Sequence, residues 1–369
     1  MTVAAAADDR LAVGVDIGGT KVAAGLVHAD GRVFSRARRD TPDRSTTPGD
    51  VEDVIVDAVE ELLAEARRGE REVPGIGIGA AGFVSGDGST VVFAPHLAWR
   101  EEPIRDRLTE RLGLPVVVDN DANTAARAEH RFGAGRGESR LLLVTLGTGI
   151  GGAIVLDGRV ERGRYGLAGE FGHMQVVPDG ERCECGNRGC WEQYSSGRAM
   201  KREAREMILA GSPYAAGLAT ICGGDATRIE GHHVTSAARA GDQAALDLLG
   251  DVGRWLGVGL ANLAAALDPG TIVVGGGVSQ AGELLLVPAR ETFARHLTGR
   301  GFRPLAPIVA AQLGPEAGMV GAADLARAEA DRGSAATGNP GSGGRASRDP
   351  ALGEPALGEP APGRDVRGR

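Results

Sequence analysis

Two glycine-rich strand-turn-strand patterns, one near the start of the chain and one near its middle, constrain the fold more than any other feature. The first covers residues 11–27, where two apolar runs meet at Gly18 and Gly19. The second covers residues 141–156 and turns within residues 147–152. Each pattern is typical of a β-hairpin. Because a repeated unit within one chain indicates a duplicated architecture, the sequence predicts two similar lobes that face each other across a cleft.

The remaining apolar periodicity alternates between strands and helices. Residues 76–80 and 116–119 are short buried runs, and a helical pattern over residues 104–112 precedes the second of them. This alternation favours an α/β fold, with a mostly parallel or mixed sheet and helical crossovers. The further predicted strands are 33–39 and 271–274, and the further predicted helices are 51–66, 122–131, 244–267 and 316–330.

These elements divide the chain into four expected parts. Residues 1–10 are a short leader, residues 11–121 together with 316–330 form a small amino-terminal lobe, and residues 122–315 form a large lobe. From residue 331 to 369 the composition shifts to Gly, Pro, Ser and Ala, and the string ALGEP occurs twice. Such a segment buries too little apolar surface to offset the entropy of ordering it, so a disordered tail is expected.

Composition argues against several classes of protein. Acidic residues outnumber basic ones, 49 to 41, and the formal net charge of −8 gives no basic surface for nucleic acid or a membrane. The first nine residues lack the positive charge and apolar run of an export signal. Four cysteines are too few for a disulfide scaffold in a chain of 369 residues. We therefore expect a cytoplasmic protein with no nucleic-acid or membrane partner.

Three glycine-rich turns, each following a strand, are candidate phosphate-binding loops: residues 18–21, 147–152 and 275–277. Glycine lets backbone amides approach anionic oxygens closely. A single turn of this kind is more often a plain tight turn, but a nucleotide between two lobes needs separate loops for its phosphates and its adenosine. Lysine occurs only at Lys21 and Lys201, so a lysine in the first loop stands out against an arginine background.

Gly77, Gly79 and Gly82 offer a rival interpretation, because they have the spacing of the dinucleotide-binding fingerprint and follow a strand. That fingerprint requires a helix next, whereas residues 83–92 have the spacing of a strand. We therefore interpret the three glycines as a loop near the cleft. The Walker phosphate loop is absent from the sequence, which excludes that class of kinase.

Cys183, Cys185 and Cys190 cluster within eight residues of a polar, glycine-containing segment. Together with His173, ten residues before the first of them, they would complete the tetrahedral ligand set of zinc. A site with four protein ligands is closed, so this zinc would be structural. The alternative is that the cysteines are unliganded apolar side chains. For Cys222, which stands alone, a buried packing role is expected.

Carboxylates occur on both sides of this cluster and at the end of a strand. Glu170 and Glu192 bracket the cysteines and could accept hydrogen bonds from sugar hydroxyls, although either one alone would be an ordinary surface charge. Asp119, Asn120 and Asp121 end a buried strand, where α/β sheets present their chemistry. Asp121 could deprotonate an attacking hydroxyl, or it could simply cap the helix that follows.

Five strings taken together resemble the ROK family of sugar kinases and repressors, and most closely its bacterial glucokinases. They are DIGGTK from Asp16, VDNDAN from Val118, LGTGIGG from Leu146, GEFGH from Gly169 and CECGNRGCWE from Cys183. The match covers about residues 11–330. It implies the duplicated, ribonuclease H-like fold of actin and hexokinase, and an ATP-dependent phosphorylation of glucose to glucose 6-phosphate, a step of glycolysis.

The same resemblance implies a role for individual residues. Asp121 looks like the base acting on the sugar 6-hydroxyl and like a sugar ligand. The other implied sugar ligands are Gly82, Asn120, Glu170, His173 and Glu192. The implied zinc ligands are His173, Cys183, Cys185 and Cys190. The implied nucleotide-binding residues are Asp16, Gly18, Gly19, Thr20, Lys21, Gly147, Thr148, Gly149, Gly275, Gly276 and Gly277, with Asp16 helping to position magnesium.

Two positions depart from the family pattern. Ala81 stands where many relatives have proline, and His96 stands where many have asparagine, so the sugar-side loop is expected to differ in detail. Three alternatives stay open. The substrate could be fructose, mannose or N-acetylmannosamine. The chain could be a sugar-sensing repressor, although only ten residues precede Leu11, too few for a DNA-binding domain. The zinc segment could serve only self-association. We expect a homo-oligomer.

Overall fold

In the computed structural model, which describes residues 10–337 and their side chains as far as Ser334, the strands form two five-stranded sheets and one three-stranded sheet. In chain order the strands are β1 (Ala12–Ile17), β2 (Lys21–Val27), β3 (Val33–Asp40), β4 (Ile76–Ala80), β5 (Phe83–Val84), β6 (Val91–Phe93), β7 (Arg100–Glu102), β8 (Val116–Asn120), β9 (Arg140–Leu146), β10 (Ile150–Leu156), β11 (Arg159–Glu161), β12 (Thr271–Gly275) and β13 (Ile308–Ala310).

The two five-stranded sheets have equivalent topologies. Their strand orders are β3-β2-β1-β4-β8 and β11-β10-β9-β12-β13. In each sheet three antiparallel strands come first, and two further strands then run parallel to the third. This equivalence confirms the duplicated α/β fold that the two glycine-rich hairpins predicted.

The helices cover the two sheets. They are α1 (Pro48–Arg68), α2 (Ile104–Leu112), α3 (Asp121–Phe132), α4 (Gly197–Leu209), α5 (Ala216–Ile221), α6 (Gly231–Arg239), α7 (Gln243–Leu267), α8 (Glu283–His296) and α9 (Ala317–Thr337). Helix α1 begins at Pro48 because Thr47 and Asp50 form a reciprocal capping box, with distances of 2.7 and 3.3 Å between each side chain and the other's backbone nitrogen. Its apolar stripe packs into the core of the first sheet. Within residues 10–337, no helix combines the length and the apolar content that crossing a membrane requires.

The last helix corrects the sequence prediction. Helix α9 continues past residue 330, so the expectation of a disordered tail from residue 331 is wrong for residues 331–337, whereas residues 338–369 lie outside the described part of the chain. Asp331 pairs with Arg10 at 2.9 Å, and Arg332 pairs with Glu329 one turn earlier. A shift in composition does not reveal such pairs, which support a further turn of helix.

Helix α3 lies between the lobes, against α9 on one side and β10 on the other. Near its end, the buried carboxylate of Glu129 accepts hydrogen bonds from three backbone amides: Ala134 at 2.8 Å, Gln312 at 3.1 Å and Leu313 at 2.8 Å. Glu129 thereby fastens α3 to the segment that leads from β13 into α9. The proposed lobe boundaries at residues 121 and 316 stay predictions.

We expect Glu129→Ala to lower the free energy of unfolding by about 2–4 kcal/mol, because it leaves the three amides without their acceptor. Urea or thermal unfolding measures the loss. Glu72→Ala, at an exposed glutamate, is the matched control and should stay within about 0.5 kcal/mol of the unsubstituted protein. Equal stability of the two variants would contradict a fastening role for Glu129.

Candidate active site

The carboxyl end of β8 presents three consecutive polar side chains in different roles. Asn120 caps α3, since its Oδ1 accepts from the amides of Ala122 at 2.8 Å and Asn123 at 3.2 Å. Asp119 is buried and paired, because its carboxylate accepts from Asn123 Nδ2 at 2.8 Å and from Arg162. Asp121, by contrast, accepts from the amide of Ala122, with 2.9 Å from Oδ1 to Ala122 N, and interacts more weakly with its own amide and with the side chain of Asn120. The capping role that the sequence allowed for Asp121 thus falls to Asn120.

Asn120 has little hydrogen-bonding capacity left for another ligand. Its Nδ2 donates to the carbonyl of Gly82 at 3.1 Å, and its Oδ1 already serves the helix cap. The other N–H interacts with Asp121, whose pKa it lowers, and is all that the amide can still offer a ligand. Gly82 and Asn120 are therefore brought together, as expected for two residues of one site.

Asp16, at the end of β1, lies close enough to Asp121 for the two charges to interact. Burial, followed by the charge of Asp121, raises the pKa of Asp16 to about 7. Burial raises the pKa of Asp121 to about 6, against the opposing effect of its backbone hydrogen bond. A Cβ at Gly318 would lie 2.7 Å from the carboxyl carbon of Asp16, so the start of α9 packs directly against this carboxyl group. Two desolvated carboxylates side by side favour a cation or hydroxyl donors between them.

Glu170 and Glu192 belong to the same acidic group. Burial raises the pKa of Glu170 to about 7, and the charges of Asp121 and Glu192 add to the shift. Glu170 directly precedes a short 3₁₀ turn at Phe171–His173, and Glu192 lies within a second one at Trp191–Gln193. The carboxylates of Glu170 and Glu192 both lie within 4 Å of the ring of His173. The two glutamates, which the sequence alone could have left at the surface, are therefore neighbours.

His173 links this acidic group to the cysteine cluster through its two ring nitrogens. Nδ1 lies 3.6 Å from Cys183 Sγ, and Nε2 lies 3.9 Å from Glu170 Oε2. Cys185 and Cys190 have their sulfurs 3.6 Å apart. The ligand atoms of His173 and the three cysteines all lie within 4.8 Å of one another.

These distances fit a tetrahedral metal site. Metal–sulfur bonds of about 2.3 Å place neighbouring tetrahedral ligands about 3.8 Å apart, close to the separations of 3.6 Å found here. Three thiols and one imidazole are also the donor set that zinc prefers. Cys222 lies elsewhere, buried in the core of the second lobe. The packing role expected for it is confirmed.

A cavity of about 660 Å³ opens beside the glycine loops. Four of the predicted nucleotide-binding residues line it: Lys21, Gly147, Thr148 and Gly277. The other seven do not, namely Asp16, Gly18, Gly19, Thr20, Gly149, Gly275 and Gly276. Each of the three loops thus contributes at least one residue to the cavity lining.

The rest of the cavity lining was not predicted from the sequence. It consists of the first turns of α4 and the start of α6, including Arg198, Lys201, Glu230 and His232, with Arg239 at the end of α6. One signal could have found it, since both lysines of the chain, Lys21 and Lys201, line this one cavity.

The second glycine loop and the acidic group meet at Gly149. A Cβ at this position would lie 2.3 Å from Glu192 Oε2, so any larger residue would displace that carboxylate. The glycine here allows the second loop to touch the acidic group directly. A phosphate held by the loop amides would therefore lie next to a hydroxyl held by the carboxylates.

His96 lies against the first glycine loop. A Cβ at Gly19 would be 2.9 Å from the Cβ of His96, and His96 is exposed. The residue that departs from the family pattern therefore lies against Gly19, in the first glycine loop.

Gly77 and Gly79 serve packing. A Cβ at Gly77 would lie 1.8 Å from the carbonyl oxygen of Ala322 in α9, and one at Gly79 would lie 2.6 Å from Thr124 Oγ1 in α3. The strand β5 follows them where a dinucleotide fold would have a helix. The rejection of the dinucleotide fingerprint is thus confirmed.

Duplicated sheets with glycine loops and acidic groups facing one cleft define the actin- and hexokinase-like class of two-lobed proteins. The family model described as "ROK family" matches residues 12–329. The chain belongs to the ROK family.

Individual relatives agree with this assignment. A glucokinase of Streptomyces coelicolor is 48% identical over 317 residues, which cover 86% of this chain and 98% of the relative. The crystal structure of a ROK family glucokinase from Streptomyces griseus, in complex with glucose and AMPPNP, is 51% identical with a TM-score of 0.77, and the match covers 86% of this chain and 99% of that one. A ROK hexokinase from Thermus thermophilus is 35% identical with a TM-score of 0.72, over 87% of this chain and 99% of that one.

Proposed function

We propose that this chain is an ATP-dependent glucokinase, which transfers the γ-phosphoryl group of ATP to the 6-hydroxyl of glucose. The observation that carries the proposal is the contact between Gly149 and Glu192, because it joins a phosphate-type loop to a hydroxyl-binding acidic group. The relatives from Streptomyces are glucokinases, and one of them holds glucose and AMPPNP.

Asp121 is the base in this proposal. Asn120, and not Asp121, caps the helix, and no arginine within residues 10–337 pairs with Asp121. Its carboxylate can therefore accept the proton of the 6-hydroxyl as that oxygen attacks. Transfer of a phosphoryl group requires little covalent chemistry from the protein, so most of the rate comes from alignment and charge neutralisation. Closure of the lobes would exclude water, the competing acceptor.

The sugar is held by groups around Asp121. Glu170 and Glu192 accept hydrogen bonds from hydroxyls, and His173 presents Nε2 beside Glu170. Asn120 contributes its remaining N–H, and Gly82 leaves room for the ring. The phosphates contact the loop amides at residues 18–21 and 147–149, and the third loop at residues 275–277 supports the adenosine.

Two metal ions belong to the proposal. A zinc ion bound by His173, Cys183, Cys185 and Cys190 would have no open position, and its contribution would be structural. It would fix the ring of His173, so that Nε2 faces the sugar. A magnesium ion near Asp16 would supply neutralisation of phosphate charge. The raised pKa of Asp16, caused by burial and by Asp121, is what a cation there would relieve.

A coupled assay of ADP release tests the proposal across glucose, fructose, mannose and N-acetylmannosamine. Glucose should give the highest kcat/KM. No phosphorylation of any hexose would overturn the kinase assignment, and a higher kcat/KM for another hexose would replace glucose as substrate. The same proposal includes a cytoplasmic location, a role in glycolysis and a homo-oligomeric state. Light scattering would give the number of subunits.

The base should impose a pH dependence on the rate. Burial raises the pKa of Asp121 to about 6, and only the ionised form can accept a proton. We therefore expect kcat/KM for glucose to be half-maximal near pH 6, to level off about one pH unit higher, and to fall roughly tenfold per pH unit well below 6. Protonation of Asp16 and Glu170, whose pKa values burial raises to about 7, adds to this loss. Steady-state rates at saturating ATP and magnesium measure this limb.

His96→Asn is the control for this pH dependence, since it removes the imidazole that lies against Gly19 without touching the acidic group. The fall of kcat/KM at low pH should be the same in this variant as in the unsubstituted enzyme. A pH dependence that disappears in His96→Asn would show that Asp121 is not its source. Thermal unfolding at each pH separates loss of rate from loss of structure.

A further inference from the structure

The lining of the cavity includes one negative charge, which a site for phosphates alone does not need. Four cationic side chains line the cavity, Lys21, Arg198, Lys201 and Arg239. Glu230 is the one carboxylate among the described residues that line it. A carboxylate repels phosphate, so Glu230 has to face an uncharged part of the ligand or serve only the fold.

Helix α4 fixes the distance of this carboxylate from the phosphate loop. The amide of Gly197 donates to the carbonyl of Gly147 at 2.9 Å, and the amide of Arg198 donates to that of Thr148 at 3.3 Å. The start of α4 is therefore fastened to the second glycine loop. Lys201 comes four residues after Gly197, about one helical turn or 5.4 Å further along the same face. Glu230 pairs with Lys201, so its carboxylate lies about one helical turn away from the second glycine loop, within the same cavity.

The side chain of Glu230 pairs with Lys201 and closes a capping box with the backbone of His233. Oε2 lies 2.9 Å from Lys201 Nζ, whereas Oε1 is 4.0 Å from Arg205, outside hydrogen-bonding distance. The backbone amide of Glu230 donates to His233 Nδ1 at 3.1 Å, which fixes the chain where α6 begins. The hydrogen bond to Lys201 lowers the pKa of Glu230, so the group stays ionised. The carboxylate is thus oriented at the cavity, and its two oxygens can accept more hydrogen bonds than these contacts use.

We propose that Glu230 accepts hydrogen bonds from the ribose hydroxyls of the donor nucleotide, and that Lys201 is its positioning residue. An ionised carboxylate suits the vicinal 2′- and 3′-hydroxyls, which are neutral donors and repel no charge. The pair then makes the cavity selective for a ribonucleoside triphosphate over a deoxyribonucleoside triphosphate. This inference rests on the proposed kinase activity and adds the feature by which the enzyme selects its donor.

Steady-state kinetics with ATP and with 2′-deoxy-ATP, at saturating glucose, test the proposal. The unsubstituted enzyme should prefer ATP by about tenfold or more in kcat/KM, the size expected for a hydrogen bond to a charged group. Glu230→Ala should lower kcat/KM for ATP by a similar factor and leave 2′-deoxy-ATP nearly unchanged, so that the preference falls below about threefold. The KM for glucose should not change.

Two further variants separate recognition from folding. Glu203→Ala, on the same helix as Lys201 but outside the cavity lining, should keep the full preference for ATP. Lys201→Ala should reduce the preference, and Lys201→Arg should restore part of it, because a guanidinium can still hold the carboxylate.

Three results would overturn the inference. Glu230→Ala could weaken both donors equally, which would mean a structural role. The unsubstituted enzyme could use both donors equally well. Glu230→Ala could instead abolish the preference for ATP over inosine triphosphate, which would mean that Glu230 contacts the base and not the ribose. Absence of hexose phosphorylation with every donor is a separate result that overturns the proposed function itself.

Discussion

Asp121→Asn should reduce kcat for glucose phosphorylation by about 10³-fold while leaving glucose binding nearly intact. Asparagine has the size of aspartate and can still accept from the amide of Ala122, which Asp121 Oδ1 contacts at 2.9 Å. It cannot accept a proton from the attacking hydroxyl. Calorimetric titration with glucose measures the binding, and the coupled assay measures the rate.

The same substitution should not destabilise the fold at neutral pH. Burial raises the pKa of Asp121 from about 4 to about 6. The stability that the protonated carboxyl contributes is therefore complete below pH about 4 and is lost as the pH rises through about 6. At neutral pH the ionised group already opposes folding, so its removal should leave Tm unchanged or slightly raised.

Asp106→Asn is the matched control, because Asp106 also lies in the first turn of a helix but is exposed and far from the acidic group. Its kcat should equal that of the unsubstituted enzyme. A kcat for Asp121→Asn within about tenfold of the unsubstituted value would remove Asp121 from the role of base.

The sequence predicted those features that neighbouring residues determine. The two hairpins follow from glycines between apolar runs, and their equivalence in two sheets follows from the repeat. The cysteine cluster was predictable because its four ligands lie within residues 173–190, close enough in sequence for spacing to indicate a metal.

Features that depend on packing between distant segments were not predictable. Lys201 and Glu230 meet only because α4 and α6 pack together. The choice of Asn120 over Asp121 as the helix cap depends on how β8 ends, and two consecutive polar residues look equally suitable in sequence. The extra turns of α9 are supported by a pair with Arg10, at the other end of the described chain.

The cysteine cluster should be essential to glucose binding if its proposed zinc orients His173. Cys190→Ser should lose the bound zinc, about one equivalent per chain in the unsubstituted protein, because a serine hydroxyl does not replace a thiolate as a zinc ligand. KM for glucose should rise by about 10–100-fold, the cost expected when groups that orient a site are lost. Elemental analysis measures the metal, and steady-state kinetics measure KM for both substrates.

Cys222→Ala is the control, since its thiol is buried in the core away from the cluster. It should keep its zinc and its KM for glucose. The change in Cys190→Ser should fall mainly on glucose rather than ATP, because His173 lies beside Glu170 and Glu192, whereas the cavity at the glycine loops is lined by other residues. A variant that loses zinc and subunit association but binds glucose normally would instead make the segment a scaffold for assembly, with no part in orienting the sugar.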